Sequence, residues 1–496
     1  MENRHCRFIR LLTFSVKNIV LSTINAKWIH PSLALRLLKA NLGALEDSCE
    51  ITEFNLRQPL AEITGVLSSS AARILGVSVS IWNNTATVKL LEELRKIRTV
   101  QRPVIVLGGP EVSHLQSDAE IFRYADYVIR GEGEEAFKKL CEDILTNGLL
   151  NGQQQVKPQF INAGNADTGK IKSAYHLYTD EDAANKLIYV ESSRGCPFNC
   201  EFCLSAVKEN GGALREFPLE PFLAEMDVLI RRGVKTFKFL DRTFNVNIKR
   251  ALRIMEFFLE KIKERKIRQS PLVVHFEMVP FLFPIELREM LARFPPGTLR
   301  LETGIQTLNE ETASRIKRSG TGRSFSPEEE TETLRFLRQK TAAIIHADLI
   351  AGLPGEDLAS FGKGFDSLWL ALSDEEKPSA GTKELRAEIQ VGILKLLPGA
   401  PIQRHKDARY NPAPPYEVLE TSAIREEDIK RIKNFARFWE IIVNRRLHPE
   451  FIKNLSGKPV FKKFMTLSDS LYSRFGRNWG IDRHELLQAI ENYEFI

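Results

Sequence analysis

No stretch of eighteen apolar residues occurs in the chain, so no membrane-spanning helix is expected. No export signal is visible. The amino-terminal residues are basic and partly apolar, Arg10 interrupts the apolar run, and no small-residue cleavage site follows. Residues 1–16 read as an extension before the first strand. Cysteine is scarce, six in 496 residues. That scarcity, with no export signal, excludes a disulfide-built secreted fold and points to a reducing cytoplasm. An excess of one charge is also missing. Lysine and arginine number 70 against 64 acids, and the net +6 is spread along the chain. This is too mild to argue for nucleic acid; a solvated surface is expected. Hydrophobic content of 43% and charged content of 27% fit a soluble globular protein, long enough for two or three domains.

Half of the few cysteines stand together. Cys196-Pro197-Phe198-Asn199-Cys200-Glu201-Phe202-Cys203 places three thiols within eight residues, spaced C-x3-C-x2-C. Cys6, Cys49 and Cys141 are scattered and form no second C-x2-C. A zinc site closes at four ligands, usually from two such pairs, and the nearest downstream histidine is His275. A disulfide needs an oxidising compartment. An iron–sulfur cube normally takes four cysteines; held by three, it keeps one iron open to a small molecule. The open cluster is the leading reading, with zinc or a chance grouping as the alternatives.

Between residues 17 and 148 short apolar runs alternate with helical patterns. Strands are expected at Ile19–Asn25, Ile51–Leu56, Ile74–Ile81, Val104–Leu107 and Tyr127–Ile129, with helices over Pro31–Ala44 and Thr85–Arg98. Five such units predict a doubly wound, Rossmann-like parallel sheet. Sheets of this kind bind ligands outside the carboxyl ends of their strands. Thr23–His30, Ser80–Thr85, Gly108–His114 and Gly131–Glu134 fall there. Glycines at these turns let a large planar ligand approach the backbone, although every doubly wound domain has glycine turns. His30 and His114 read as solvated loop histidines. Glu132 and Glu134 suit a helix N-terminus. Residues 149–185, with Gln153-Gln154-Gln155 and little periodicity, read as a linker.

The alternation resumes over residues 186–405. Strands are expected at Leu187–Glu191, Thr236–Leu240, Leu272–Met278, Leu299–Gly304, Ile344–Ile350 and Ile389–Leu394, with helices between them such as Ile248–Arg265. Ser326-Pro327-Glu328-Glu329 opens another helix. Six β/α units suit a partial (β/α)6, TIM-like barrel. Strand residues alternate faces, so His275 with Glu277, Arg300 with Glu302, and His346 with Asp348 share one side, opposite apolar neighbours. In a barrel the polar side lines the lumen. It either holds a ligand or forms a structural ion-pair network. Residues 406–496 read as a helical carboxy-terminal domain. Asn411-Pro412-Ala413-Pro414-Pro415 is expected as a stiff extended break before it. Phe435, Phe438, Trp439 and Ile442 form a helical stripe that reads as core, or alternatively as a lid over the barrel.

With these elements placed, the segment Ser193–Cys203 resembles the cluster loop of the radical S-adenosylmethionine (SAM) superfamily. In that family SAM chelates the open iron of a [4Fe-4S] cluster, and an aromatic residue placed like Phe202 lies near the adenine. Phe239-Leu240-Asp241-Arg242-Thr243-Phe244-Asn245 resembles the loop near the SAM amino group, where paired acids are usual and Arg242 replaces one. Glu302-Thr303-Gly304-Ile305-Gln306-Thr307 resembles the motif near the ribose and carboxylate. Asp348-Leu349-Ile350-Ala351-Gly352-Leu353-Pro354-Gly355-Glu356 resembles the motif beside the adenine, and Leu397-Pro398-Gly399-Ala400-Pro401 the loop after the sixth strand. The resemblance implies Cys196, Cys200 and Cys203 as cluster ligands. It implies Phe202, Asp241, Glu302, Gly304, Gln306 and Asp348 as SAM contacts. The first domain is similar to the cobalamin-binding domains of cobalamin-dependent radical SAM proteins at Asn25–Arg36 and Leu107–Glu111. A cobalamin site at Ser80, Gly108, Gly109 and Gly131 follows from that likeness. The D-x-H-x-x-G motif is absent, so no cobalt-ligating histidine is implied.

The likeness spans roughly residues 17–405. It implies an oxygen-sensitive cytoplasmic enzyme that cleaves SAM reductively and methylates an unactivated carbon of a small-molecule or unidentified substrate. A one-electron reductant such as flavodoxin or ferredoxin is the implied protein partner. Two other readings stay open at this point. One is radical cyclisation or rearrangement without methyl transfer; the other is a cluster- and cobalamin-binding sensor without turnover. No catalytic side chain is assigned.

Overall fold

The computed structural model describes residues 17–97, 102–147, 157–207, 212–266, 272–318, 325–373 and 387–493. The extension expected at 1–16 lies outside them. Two compact units are present. One comprises Met1–Trp28, Ala34–Ala166 and Ile171–Ala174; the other comprises Ile29–Leu33, Asp167–Lys170 and Tyr175–Ile496. Among the described residues no helix is long and apolar enough to cross a membrane.

The first unit is built on six parallel strands: β1 (Ile19–Asn25), β2 (Cys49–Asn55), β3 (Ile74–Ser78), β4 (Val104–Gly108), β5 (Tyr127–Gly131) and β6 (Gln159–Gly164). Their order is β2-β1-β3-β4-β5-β6. The strands read as continuous apolar runs because both faces are covered. Val20, Leu75, Val77 and Ile105 pack into one core, while their neighbours Ile19, Leu21, Ile74, Val104 and Val106 pack into another on the opposite face. The chain reverses its winding between β1 and β3, the position where such sheets open a crevice at their carboxyl edge.

Two expectations change at this level. Residues 149–185 do not act only as a linker, since Gln159–Gly164 is the edge strand β6, in parallel register with β5. Its exposed, alternating sequence gives little apolar signal. The glycines at 109 and 131 also have a cause besides a ligand. Both adopt positive φ, 103° and 90°. A Cβ on Gly109 would lie 2.5 Å from the Val79 carbonyl, and one on Gly131 would lie 2.6 Å from the Gly164 carbonyl. The fold itself therefore requires glycine at both. At Gly108 a Cβ would meet only the Ile129 carbonyl, at 3.9 Å.

The second unit carries a parallel sheet of β7 (Ile188–Val190), β10 (Thr236–Phe239), β11 (Val273–Met278), β12 (Leu299–Gln306), β13 (Ile344–Ala351) and β14 (Ala387–Ile393), in simple sequential order. That is an open barrel with β7 and β14 as its edges. Two short strands between β7 and β10, β8 (Ser193–Arg194) and β9 (Arg215–Glu216), pair antiparallel at the root of the cysteine loop. Phe237, Phe239, Val274, Phe276, Leu299, Leu301, Ile345 and Ala347 are fully buried on the helix-facing side.

The carboxy-terminal residues belong to this same unit rather than to a domain of their own. Phe365 and Trp369 meet Phe435 and Trp439 edge-on, with ring centroids 4.8–5.2 Å apart. The stripe Phe435, Phe438, Trp439 and Ile442 is therefore core and not a lid. The expected stiff break at 411–415 is instead the connection of an antiparallel pair, β15 (Ala408–Tyr410) with β16 (Val418–Thr421).

Candidate cofactor-binding sites

At the carboxyl ends of the barrel strands lies a cavity of about 270 Å³. Cys196, Cys200 and Cys203 line it, together with Phe202, Glu302, Gly304, Gln306 and Asp348. Residues far apart in sequence thus converge on one space. The cysteine loop begins at Gly195, whose φ is 87°, and is rooted by the β8–β9 pair. Burial pushes the Cys196 thiol up and the Cys200 thiol up to about 12. Both are therefore protonated thiols when empty, and loading the site must release their protons. Among the described residues no three histidine, cysteine or carboxylate groups are close enough to hold a single metal ion. An iron–sulfur cube places each thiolate on a different iron, so three thiols around one cavity with no fourth suit it.

The lumen beside the cavity is polar, as strand alternation predicts. Lys238 Nζ and His275 Nε2 both reach Glu302 Oε2, at 2.9 and 3.3 Å. His346 Nδ1 lies 3.0 Å from Glu388 Oε2, and the His275 and His346 rings stack at 5.5 Å. Arg300, on the same side at the start of β12, is exposed. Burial would raise the Glu302 carboxyl, but the close His275 ring and the Lys238 ammonium outweigh it and hold the group at about 2. The neighbouring acids go the other way. Burial, followed by the nearby Glu302 and Glu277 charges, pushes Asp348 up to about 8. Burial pushes Glu277 up to about 7, against the opposing charge of Arg242. Near neutral pH the cavity wall therefore holds an ionised Glu302, a mostly protonated Asp348 and a Glu277 that is close to half-protonated.

Those raised values set a pH dependence. Asp348 and Glu277 keep their protons in the folded chain over a range in which the unfolded chain has lost them. Their contribution to stability is full below the ordinary carboxylate range and is lost as pH rises through about 7 and about 8. The melting temperature of the cofactor-free protein is expected to fall between about pH 4 and 8, and Asp348→Asn should flatten the fall. Thermal melts across that range check this; a parent profile flat in pH contradicts it.

One residue implied as a SAM contact does not line the cavity. Asp241 is 1% exposed, and both of its oxygens are occupied. It accepts the Ser192 amide at 2.9 Å, the Ser192 hydroxyl at 2.7 Å and the Ser193 hydroxyl at 2.6 Å. Its carboxylate clamps the root of the cysteine loop, while Arg242 and Thr243, the next two residues, face the cavity. Two further cavity residues carry little or no sequence signal. Alternation puts Glu277 on the polar side, but no motif marks it as part of the site. Arg318 has neither periodicity nor motif, yet it is buried, donates to the Gly304 carbonyl at 2.7 Å and pairs with Glu330. Gln306 is held at φ 66° beside a register shift between Gly304 and Gln306.

In the first unit, Ser80, Gly108, Gly109 and Gly131 stand at the carboxyl ends of β3, β4 and β5. The Ser80 amide donates to Asn83 Oδ1 at 2.8 Å, and the Asn83 side chain reaches back to the Ile24 carbonyl at 3.0 Å. The loops after β1 and β3 thereby brace one another. Each carries a half-exposed tryptophan, Trp28 and Trp82. Large apolar rings offered to solvent on both sides of the β1/β3 crevice suit a broad, flat ligand. His30, expected as a solvated loop histidine, is not a simple solvated group. His30 belongs to the second unit and bonds the Tyr189 hydroxyl through Nδ1 at 2.9 Å. His114 ends the short helix Pro110–His114.

The radical SAM superfamily model matches residues 190–367, and the B12 binding domain model matches residues 19–141. The chain joins a B12-binding domain to a radical SAM domain. This radical SAM protein is similar to the cobalamin-dependent radical SAM methyltransferase TokK from Streptomyces tokunonensis, with 24% identity over 66% of this chain and 48% of that one. It resembles TsrM from Kitasatospora setae, a radical SAM methyltransferase solved with tryptophan substrate and a SAM analogue. There the TM-score is 0.60, with 17% identity over 82% of this chain and 80% of the other. It also resembles the cobalamin-dependent SAM radical enzyme OxsB, solved with aqua-cobalamin and SAM bound. That match has a TM-score of 0.65 at 13% identity, over 96% of this chain and 79% of the other. At such identities the two structures establish the fold. The chain spans 28–52% of the length of the curated relatives it matches, about half in most cases.

Proposed function

We propose that this chain is a cobalamin-dependent radical SAM methyltransferase acting on an unactivated carbon of a small-molecule substrate. The observation that carries the proposal is the three-thiol set, with no fourth cysteine among the described residues, lining one cavity with Glu302, Gln306 and Asp348. Its preceding B12-binding domain and its likeness to TokK and TsrM support methyl transfer. When bound, the [4Fe-4S] cluster would supply the electron that splits SAM, and cobalamin would carry the methyl group. The chain's own share is placement and exclusion of water and oxygen. Cys196, Cys200 and Cys203 would hold the cluster and leave its open corner toward the cavity. Phe202 would give the adenine an apolar face. The ionised Glu302 would accept from ammonium or hydroxyl donors, the protonated Asp348 would donate, and Gln306 and Arg318 would meet the carboxylate. Ser80 and Gly108 would approach cobalamin, flanked by Trp28 and Trp82. A one-electron carrier such as flavodoxin or ferredoxin would supply the reductant, in a reducing, low-oxygen cytoplasm.

The test is anaerobic incubation of the reconstituted chain with SAM, cobalamin and a strong reductant. The expected products are S-adenosylhomocysteine and methylcobalamin. 5′-Deoxyadenosine alone contradicts methyl transfer and favours cyclisation or rearrangement. Bound cofactors without any SAM cleavage favour a sensor.

A further inference from the structure

One residue inside the cysteine loop is tied to two distant segments, and its role goes beyond the ligand set. Glu201 lies between Cys200 and Cys203 and is 1% exposed. Its amide donates to the Ile316 carbonyl at 2.9 Å, and its carbonyl accepts from the Ile402 amide at 2.8 Å. Both backbone groups are thus satisfied before the side chain is considered. The carboxylate then takes three more partners: Arg404 Nε at 2.6 Å, Lys317 Nζ at 3.0 Å and His405 Nε2 at 3.0 Å. Lys317 and Arg404 are more than half exposed, so they reach inward from the surface to meet a carboxylate that solvent does not.

The two segments matter to the cavity. Ile316 and Lys317 follow the helix Glu310–Arg315, and the next residue, Arg318, lines the cavity and bonds the Gly304 carbonyl. Ile402 and Arg404 lie in the turn Pro401–Arg404 that follows β14 and its proline–glycine loop. Glu201 therefore joins the cysteine loop to the arginine that braces β12 and to the segment closing the sixth strand. A tie alone could use a neutral amide. Two permanent cations and a histidine around one buried anion make it an electrostatic centre as well.

We propose that Glu201 is a positioning residue for the iron–sulfur cluster: it fixes the cysteine loop against these two segments, and its charge balances Lys317 and Arg404 at that loop so that the cluster's midpoint potential stays low. The inference rests on the cluster assignment proposed above. Reduction adds a negative charge to the cluster, and nearby net charge sets its potential. Without the anion, Arg404 and Lys317 stand unbalanced and favour the reduced form, so the potential rises.

The experiment uses the full chain, reconstituted anaerobically, as parent, Glu201→Gln, Glu201→Asp and Glu201→Ala. Iron and sulfide are counted, the midpoint potential is followed by electron paramagnetic resonance, and iron loss to a chelator is timed. Glu201→Gln keeps the size of the side chain; it is expected to hold the cluster at a less negative potential. Glu201→Asp keeps the charge and should return the potential toward the parent. Glu201→Ala should release iron about tenfold faster, the equivalent of one lost charge-assisted bond. An unmoved potential in Glu201→Gln overturns the proposal whatever the release rate, and that variant carries the test if Glu201→Ala does not fold. A parent chain that takes up no cluster overturns both this inference and the proposed function; a parent with a normal cluster and indifferent variants overturns this inference alone.

Discussion

Cys200→Ser is expected to abolish iron retention. Three thiols line the cavity and no other cysteine does so among the described residues, so losing one leaves two ligands for a group that normally takes four. A serine hydroxyl is a poor replacement, because iron of this kind is held by thiolate. Iron and acid-labile sulfide should fall to background, and SAM cleavage with them. Cys141→Ser is the matched control. That thiol is fully buried in the first unit's core, where burial pushes it far up, and its loss should leave iron content unchanged. Iron retained by Cys200→Ser at the parent level would remove the cysteine loop from the site. Burial of the Cys196 and Cys200 thiols adds a kinetic signature. Uptake requires deprotonation, so reconstitution should run faster at about pH 8.5 than at about pH 7.

Asp241→Ala is the second large effect, and it separates two roles for one residue. A buried carboxylate that accepts three hydrogen bonds leaves two hydroxyls and an amide unpaired when it is removed. Breaking such an arrangement costs about 3–5 kcal/mol. The melting temperature should drop by several degrees and the cluster should be poorly retained, since Ser192 and Ser193 root the loop that carries the cysteines. SAM affinity, measured per loaded cluster, should change by less than about threefold, because the side chain does not face the cavity. Unchanged stability with collapsed SAM affinity would restore Asp241 as a SAM contact.

The fold is legible where burial dictates sequence. Parallel strands covered on both faces read as unbroken apolar runs, and β1 falls at Ile19–Asn25 as expected. β6 is not legible: it is an exposed edge strand whose residues are mostly half-buried or exposed. The cysteine triad is legible because ligand chemistry permits few substitutes. The motif around Asp241 marks the right loop but the wrong side of it. The alternation that places Lys238 in the lumen puts Phe237 and Phe239 outward, and two residues further on Asp241 follows them. Arg318 and Glu201 leave no trace, since a single charged residue acquires its partners only through tertiary packing. The glycine turns carry a mixed signal: neighbouring backbone alone requires glycine at 109 and 131, whereas a Cβ at Gly108 would meet only the Ile129 carbonyl, at 3.9 Å.

The central claim is that one chain holds an open cluster and a corrinoid together. The most direct measurement is the ultraviolet–visible spectrum of the protein after anaerobic reconstitution with iron, sulfide and hydroxocobalamin and removal of unbound cofactor. Superposed cluster and corrinoid bands are expected, at one of each per chain. Cluster absorption without corrinoid contradicts the reading of the first unit, and corrinoid without cluster contradicts the reading of Cys196, Cys200 and Cys203.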